Sequence, residues 1–323
     1  MGASALTHLR RLELARLPTP IQYLERLSSW LGAEVYVKRD DLTGLGLSGN
    51  KVRKLELLLA EAVDHGAEVV VTCGGIQSNH CRATAVAARQ LGLQPVLLLR
   101  GERSGAPDGN LLLDDLLGAE VHTCDDATYR DHREEVMTEL ARGRPAYVIP
   151  EGGSNGLGAM GYVLASEEAA AQVAERFDRV VVAVGSGGTL AGLAMGSDLG
   201  PVRGIAVCDD ALTFTTRVRA IASEAERLGA RALPPSGRRW RVVEGYQGPA
   251  YAVAEPPVWE VIRKVAHLEG LILDPVYTGK AVHALVEEVR AGRWGGRILF
   301  WHTGGAFGLF GRGGEATADP ASP

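Results

Sequence analysis

Cysteine is scarce in this 323-residue chain: Cys73, Cys81, Cys124 and Cys208 stand far apart and form no C-x-x-C pair. Two disulfides would add little to so long a chain, so buried free thiols in a reducing compartment are expected. The eight histidines show no H-E-x-x-H and no clustered ligand spacing, which argues against a dedicated metal site. No uncharged apolar run reaches the roughly 18 residues that span a bilayer. The opening MGASALTHLRRLELARLPTP has no apolar core of a secretory signal. A cytoplasmic protein without a membrane partner is therefore expected. Basic residues are outnumbered 34 to 39, for a net charge of -5. A nucleic-acid partner is not expected, because neutralising phosphates needs a basic face.

Glycine is in excess, with 41 residues against an ordinary share of roughly 7%. No Gly-X-Y period or low-complexity block explains it. Apolar β-branched runs alternate with helical patterns. Strands are expected at 34–39, 68–73, 95–100, 120–124, 146–150, 179–184, 203–208 and 297–302, as in EVYVKR and RVVVAV. Between them, Val52, Leu55, Leu58, Leu59, Ala62 and Val63 recur at helical spacing up to Gly66. Short buried strands alternating with helices imply parallel sheets built from βαβ units. The stretch 52–162 holds four such units and closes on the glycine-rich EGGSNGLGAMG; a second series starts at Arg179. Two α/β domains are expected, each an open, mostly parallel sheet flanked by helices, with a ligand cleft between them. The larger would comprise 1–51 and 163–323 and the smaller, inserted one 52–162, with a frayed tail from about 312 to 323.

Five segments offer chemistry. Ser48-Gly49-Asn50-Lys51 opens a helix, with Asn50 placed to cap it. A lysine in the first turn meets the positive end of the helix dipole, which lowers its pKa. A partly neutral lysine is what Schiff-base chemistry requires; a solvated surface lysine is the bland alternative. Lys54 lies one turn on, on the same face. In Gly74-Gly75-Ile76-Gln77-Ser78-Asn79-His80, Ser78 would cap a helix and leave Asn79 and His80 at the strand's carboxyl edge, where ligands of α/β sheets bind. Gly185-Ser186-Gly187-Gly188-Thr189 follows a strand and precedes a helix, so backbone N–H groups and the helix end converge on a phosphate. A dinucleotide site would want glycine where Leu190 stands, although Asp209 and Asp210 sit where a ribose-binding acid belongs; a merely tight turn is the third reading. Asp274-Pro275-Val276-Tyr277-Thr278-Gly279-Lys280 and Trp301-His302-Thr303-Gly304-Gly305 are turns at element ends, weak alone. Together, an imine-forming lysine, a monophosphate cradle and hydroxyl and amide groups around a cleft select pyridoxal 5′-phosphate, which supplies an electron sink while the protein orients.

The segments SGNKVRKLE, GGIQSNHCRATA, VGSGGTLAG, DPVYTGKA and LFWHTGG, in this order along nearly the whole chain, resemble the D-cysteine desulfhydrase / 1-aminocyclopropane-1-carboxylate (ACC) deaminase family. The opening LPTPIQYLERLSSWLGAEVYVKRDDLTG is similar to that family's first segment, and the likeness is weakest across 209–250. The resemblance implies the two-domain tryptophan-synthase β-like fold (PLP fold type II), with pyridoxal phosphate in the interdomain cleft, and a homodimer. It implies that Lys51 carries the cofactor and removes the Cα proton. Lys54 would help bind the phosphate beside Gly185, Ser186, Gly187, Gly188 and Thr189, and Asn79 would bond the ring hydroxyl. Ser78 would meet the substrate carboxylate or assist proton transfer, with Gln77 and His80 beside it, and Tyr251 and Tyr277 would be the two active-site tyrosines. ACC deaminases resemble DPVYEGKS and HLGG here, with an acid near the pyridine nitrogen, whereas this chain has Thr278 and Thr303. That pair implies β-elimination from a small β-substituted amino acid, with D-cysteine giving pyruvate, sulfide and ammonia. The alternatives are ACC ring opening to 2-oxobutanoate and ammonia, a specialised biosynthetic enzyme, a non-catalytic pyridoxal-phosphate binding protein and, from Asp209 and Asp210, an NAD-dependent oxidoreductase.

Overall fold

The β-branched runs become strands of two separate sheets in a computed structural model that describes residues 9–103 and 105–312. The tail expected to fray lies, beyond Arg312, outside the described residues. The chain starts with β1 (Ile21–Tyr23), α1 (Glu25–Leu31), β2 (Glu34–Arg39) and α2 (Lys51–Asp64). Then come β3 (Val69–Gly75), α3 (Asn79–Gln90), β4 (Gln94–Arg100), α4 (Gly109–Leu116), β5 (Glu120–Cys124), α5 (Asp126–Ala141), β6 (Ala146–Val148) and α6 (Gly156–Gln172). The remainder forms β7 (Arg179–Val184), α7 (Gly188–Met195), β8 (Val202–Ala206), α8 (Ala211–Arg227), β9 (Trp240–Val243), α9 (Pro256–Glu269), α10 (Thr278–Arg290), β10 (Arg297–His302) and α11 (Ala306–Phe310). Among the described residues, no helix is long and apolar enough to cross a membrane.

The six-stranded sheet has the order β1-β2-β10-β7-β8-β9 and the four-stranded sheet the order β5-β4-β3-β6. All pairings are parallel except that of β1 with β2. The central strands β3, β4, β7 and β10 are buried almost throughout, as parallel strands covered by helices on both faces must be. One face of the larger sheet packs on α9 and α10 through Trp259, Ile262, Val282 and Leu285. The other packs on α6, α7 and α8 through Tyr162, Leu190, Phe214 and Val218. Tight helix packing explains part of the glycine excess: a Cβ on Gly161 would run into the backbone of Arg53 in α2. Helix α6 therefore lies directly against α2, the helix that begins with Lys51. All four cysteines are free thiols; Cys73 and Cys81 are buried as expected, whereas Cys124 and Cys208, both close to strand ends, are only partly covered.

A buried polar network anchors α2. Asp40 accepts from Arg53 (2.7 and 2.9 Å), Thr19 (2.8 Å), the Tyr162 hydroxyl (2.6 Å) and Trp301 Nε1 (2.7 Å). Glu168 accepts from Lys38 at 2.5 Å and from Arg53 at 2.9 Å. Burial pushes the Asp40 carboxyl up, but the Arg53 charge and the donated hydrogen bonds outweigh it and hold the group below the ordinary carboxylate range. The network joins β2, α2, α6 and β10.

Candidate active site

The end of β4 and the loops after the carboxyl ends of β3, β7, β8 and β10 converge on one cavity of about 730 Å³, the ligand position of open α/β sheets. Lys51, Gln77, Ser78, Asn79, His80, Gly185, Ser186, Gly187, Thr189, Tyr251, Tyr277 and Thr303 all line it. They come from both sheets, which present their carboxyl edges to the same space.

Lys51 is the first residue of α2, and burial in the cleft lowers its pKa to about 8. The Arg82 charge acts in the same direction, and Glu151 and Asp274 oppose it. The turn before the lysine passes close to the loop after β10. Gly49 has φ +111°, and a Cβ there would lie 2.7 Å from the Thr303 carbonyl oxygen, so only glycine fits. Asn50 does not cap α2 as expected. Its Nδ2 donates instead to Thr189 Oγ1 at 3.0 Å, tying the lysine's turn to the first turn of α7.

The glycine turn at 185–188 leads from β7 straight into α7, whose first residues border the cleft. Lys54 is fully buried just behind this turn, and its Nζ donates to neutral groups, the Gly152 carbonyl and Ser154 Oγ, each at 3.0 Å. Burial, then the Lys51 charge, pushes it well below an ordinary lysine. Ser154 Oγ is 2.8 Å from Ser186 Oγ, and a Cβ on Gly188 would sit 2.8 Å from Lys54 Nζ. A buried lysine bonded to no carboxylate, set against a glycine turn and a helix N-terminus, has the donors that suit a phosphate, whose negative charge would favour the ammonium that burial disfavours.

Ser78 caps α3, accepting from Cys81 N at 3.2 Å. The Gln77 amide is committed to α4: Nε2 donates to Asp108 Oδ1 at 2.8 Å and Oε1 accepts from Asn110 N at 2.8 Å. His80 Nε2 lies 2.9 Å from Thr72 Oγ1. Burial and the charges of Lys51 and Lys54 push His80 well below its usual range, so the imidazole is neutral. Across the cleft, the hydroxyls of Tyr251 and Tyr277 are 2.9 Å apart, and burial raises Tyr251 to about 12. Tyr277 lies against the glycine turn at 185–188, where a Cβ on Gly185 would come 2.9 Å from its Cε1. Thr303 reaches the cavity; Thr278 is set back and fully buried, its hydroxyl donating to Asp274 Oδ1 at 2.6 Å. Of the acids that suggested a ribose, Asp210 caps α8, whereas Asp209 stays at the cavity wall, paired at 2.7 Å with Arg217, which lines the cavity too.

Glu151, Gly152, Arg100 and Tyr129 also line the cavity, outside the five segments singled out for their chemistry. Glu151 lies in the glycine-rich segment after β6 and accepts from the Tyr129 hydroxyl at 2.9 Å. Arg100 ends β4, and its guanidinium stands 4.7 Å from the Tyr251 ring and 5.2 Å from the Tyr129 ring. Gly152 supplies its carbonyl to Lys54. Arg100 and Glu151 do leave a trace in the sequence, since one closes the strand PVLLLR and the other opens EGGSNG. Tyr129 gives no signal inside an ordinary polar helix.

Comparison with known proteins gives the family. The family profile for pyridoxal-phosphate dependent enzymes matches residues 12–304. The mitochondrial bifunctional D-cysteine desulfhydrase/1-aminocyclopropane-1-carboxylate deaminase of Arabidopsis thaliana is 43% identical over 94% of this chain and 81% of its own length. A D-cysteine desulfhydrase of Salmonella choleraesuis is 42% identical over 94% of this chain and 97% of its own. A crystal structure of an ACC deaminase homologue superposes with a TM-score of 0.89 at 44% identity, covering 97% of both chains. With the profile spanning most of the chain and relatives this close, the chain belongs to the pyridoxal-phosphate dependent enzyme family.

Proposed function

We propose that the cleft performs β-elimination on a small β-substituted amino acid, with D-cysteine giving pyruvate, sulfide and ammonia. The observation that carries this reading is Lys51, set in the cleft with its pKa lowered to about 8, in company with the phosphate turn and the Ser78–Asn79 helix start. Lys54, the 185–188 turn and Thr189 would hold the cofactor's phosphate, Asn79 its ring oxygen and Thr303 its ring nitrogen. Bound there, pyridoxal phosphate supplies an electron sink for the pair left at the substrate's Cα. Lys51 takes the Cα proton at Nζ, which an amine with a pKa near 8 does readily at neutral pH. Ser78 orients the substrate carboxylate. The coupled hydroxyls of Tyr251 and Tyr277 hold a proton for the departing β-substituent.

A hydroxyl at the ring nitrogen, unlike a carboxylate, does not hold that nitrogen protonated, which suits departure of a good leaving group better than opening a cyclopropane. ACC deamination is the second reading, favoured by the bifunctional name of the Arabidopsis relative. A cytoplasmic homodimer belongs to the same proposal, with 1–51 and 163–323 as the larger unit and 52–162 as the smaller. Leu112 and Leu116 on α4 and Phe310 on α11, all exposed, offer apolar surface to a second copy. The purified protein should show a visible band from cofactor bound at Lys51, lost in Lys51→Ala and on borohydride treatment. A colourless protein that takes up no pyridoxal phosphate would refute the reading.

A further inference from the structure

A side-chain amide has a donor at one end and an acceptor at the other, and its neighbours decide which end faces where. At Asn79 they decide it fully. Its Oδ1 accepts from Asn110 Nδ2 at 3.0 Å, so Nδ2 is the atom left for the cleft that Asn79 lines. Asn110 is fixed in turn: the same Nδ2 donates to the Gln77 carbonyl at 3.0 Å, and its Oδ1 accepts from Arg82 Nε at 3.2 Å. A guanidinium has no acceptor, so the relay of hydrogen bonds starts at Arg82 and ends in a donor facing the cleft. Arg82 and Asn110 are both fully buried. Arg82 is anchored further by the carbonyls of Gly46 and Ser48 (the latter at 3.0 Å) and by the Phe307 ring, whose centroid is 4.9 Å away.

We infer that Arg82 and Asn110 are positioning residues that act through Asn79, holding its amide donor toward the ring oxygen of the bound cofactor and keeping that oxygen ionised. This rests on the reading above, which places the ring oxygen at Asn79. A donor aimed at an oxyanion stabilises the charged form, and a carbonyl oxygen in its place destabilises it. Because Arg82 also grips the carbonyls of Gly46 and Ser48, one buried cation sets both the turn before Lys51 and the donor at the ring oxygen.

Asn110→Asp separates orientation from packing. The carboxylate keeps the volume and still accepts from Arg82, but it cannot donate to Asn79 Oδ1. The Asn79 amide then turns, giving its Nδ2 to the carboxylate and its carbonyl to the ring oxygen. Two readouts need no turnover: the pH titration of the bound cofactor's visible absorbance, and the cofactor dissociation constant measured by adding pyridoxal phosphate to cofactor-free protein. The titration midpoint should move up by about one pH unit or more, and the dissociation constant should rise about ten-fold. In an Asn79→Ala background the same substitution should move neither. Should Asn110→Asp not fold, Asn110→Ser removes the amide without adding charge and should give a smaller shift in the same direction. An unmoved midpoint in a folded variant, or an equal shift with and without Asn79, overturns the inference. A wild-type protein with no visible band overturns the cofactor-site reading beneath it, so the two failures are told apart.

Discussion

Lys51 owes its chemistry to its surroundings. An ordinary lysine stays protonated far above neutral pH; burial brings this one to about 8, and the nearby charges of Glu151 and Asp274 keep it from falling further. Cofactor-free protein should therefore show Lys51 reacting with an amine-specific acylating reagent at half its maximal rate near pH 8, rising above that pH as the free amine forms. Half-reaction near pH 10 would contradict the desolvated setting. Asp114 on α4 shows the reverse case. It is fully buried, neither carboxylate oxygen has a hydrogen-bond partner among the described residues, and burial raises it to about 8 against a weaker pull from Arg82. Its folded pKa lies above its unfolded one, so the folded state binds the extra proton. Its destabilising effect is absent below about pH 4 and grows as pH rises toward 8. Each pH unit crossed between the two values costs about 1.4 kcal/mol. Asp114→Asn should therefore stabilise the protein by at least about 1 kcal/mol at pH 7 and by almost nothing at pH 4. Urea unfolding at the two pH values checks the difference.

At the scale of elements, helix α2 is held by charge and by close packing. Asp40 neutralises Arg53 two residues after Lys51, and four side chains donate to it. Removing one partner of a buried pair leaves the other uncompensated, so Asp40→Asn should cost about 3–5 kcal/mol. The urea midpoint should fall with the slope unchanged. Elements with a strong local pattern are legible in the sequence: β2, β5, β7 and β10 begin and end where the apolar runs do. β6 stops at Val148, short of the expected Pro150, which has no N–H to continue a ladder. β1 and β9 have three and four residues at the sheet edges, too few to show a period. Asn50 departs from its expected role because a cap is a local device, whereas its amide is claimed by Thr189, 139 residues away in the chain. The relay from Arg82 is illegible for the same reason, since Asn110 lies in α4 and nothing near it in sequence points to Asn79.

Across the whole molecule, two mostly parallel sheets turn their carboxyl edges to one cavity, and the sequence motifs that meet there are the ones its glycine turns mark. The turns before Lys51, before Ser78, after β7 and after β10 each bring backbone to the cleft. The EGGSNG segment, expected as a junction, also serves the site, because Gly152 and Ser154 hold Lys54. The family and fold follow from the order of these motifs, whereas the proposed choice of substrate rests on Thr278 and Thr303, which stand where an acid would mark an ACC deaminase. That choice is best tested by measuring keto-acid and sulfide release from D-cysteine, L-cysteine, β-chloroalanine and ACC with the cofactor-loaded protein. The account predicts pyruvate and sulfide in equal amounts from D-cysteine, with kcat/KM about ten-fold or more above that for ACC, since a missing ring-nitrogen acid slows the harder reaction more. Faster 2-oxobutanoate release from ACC, or no keto acid from any of the four with the visible band present, would contradict it.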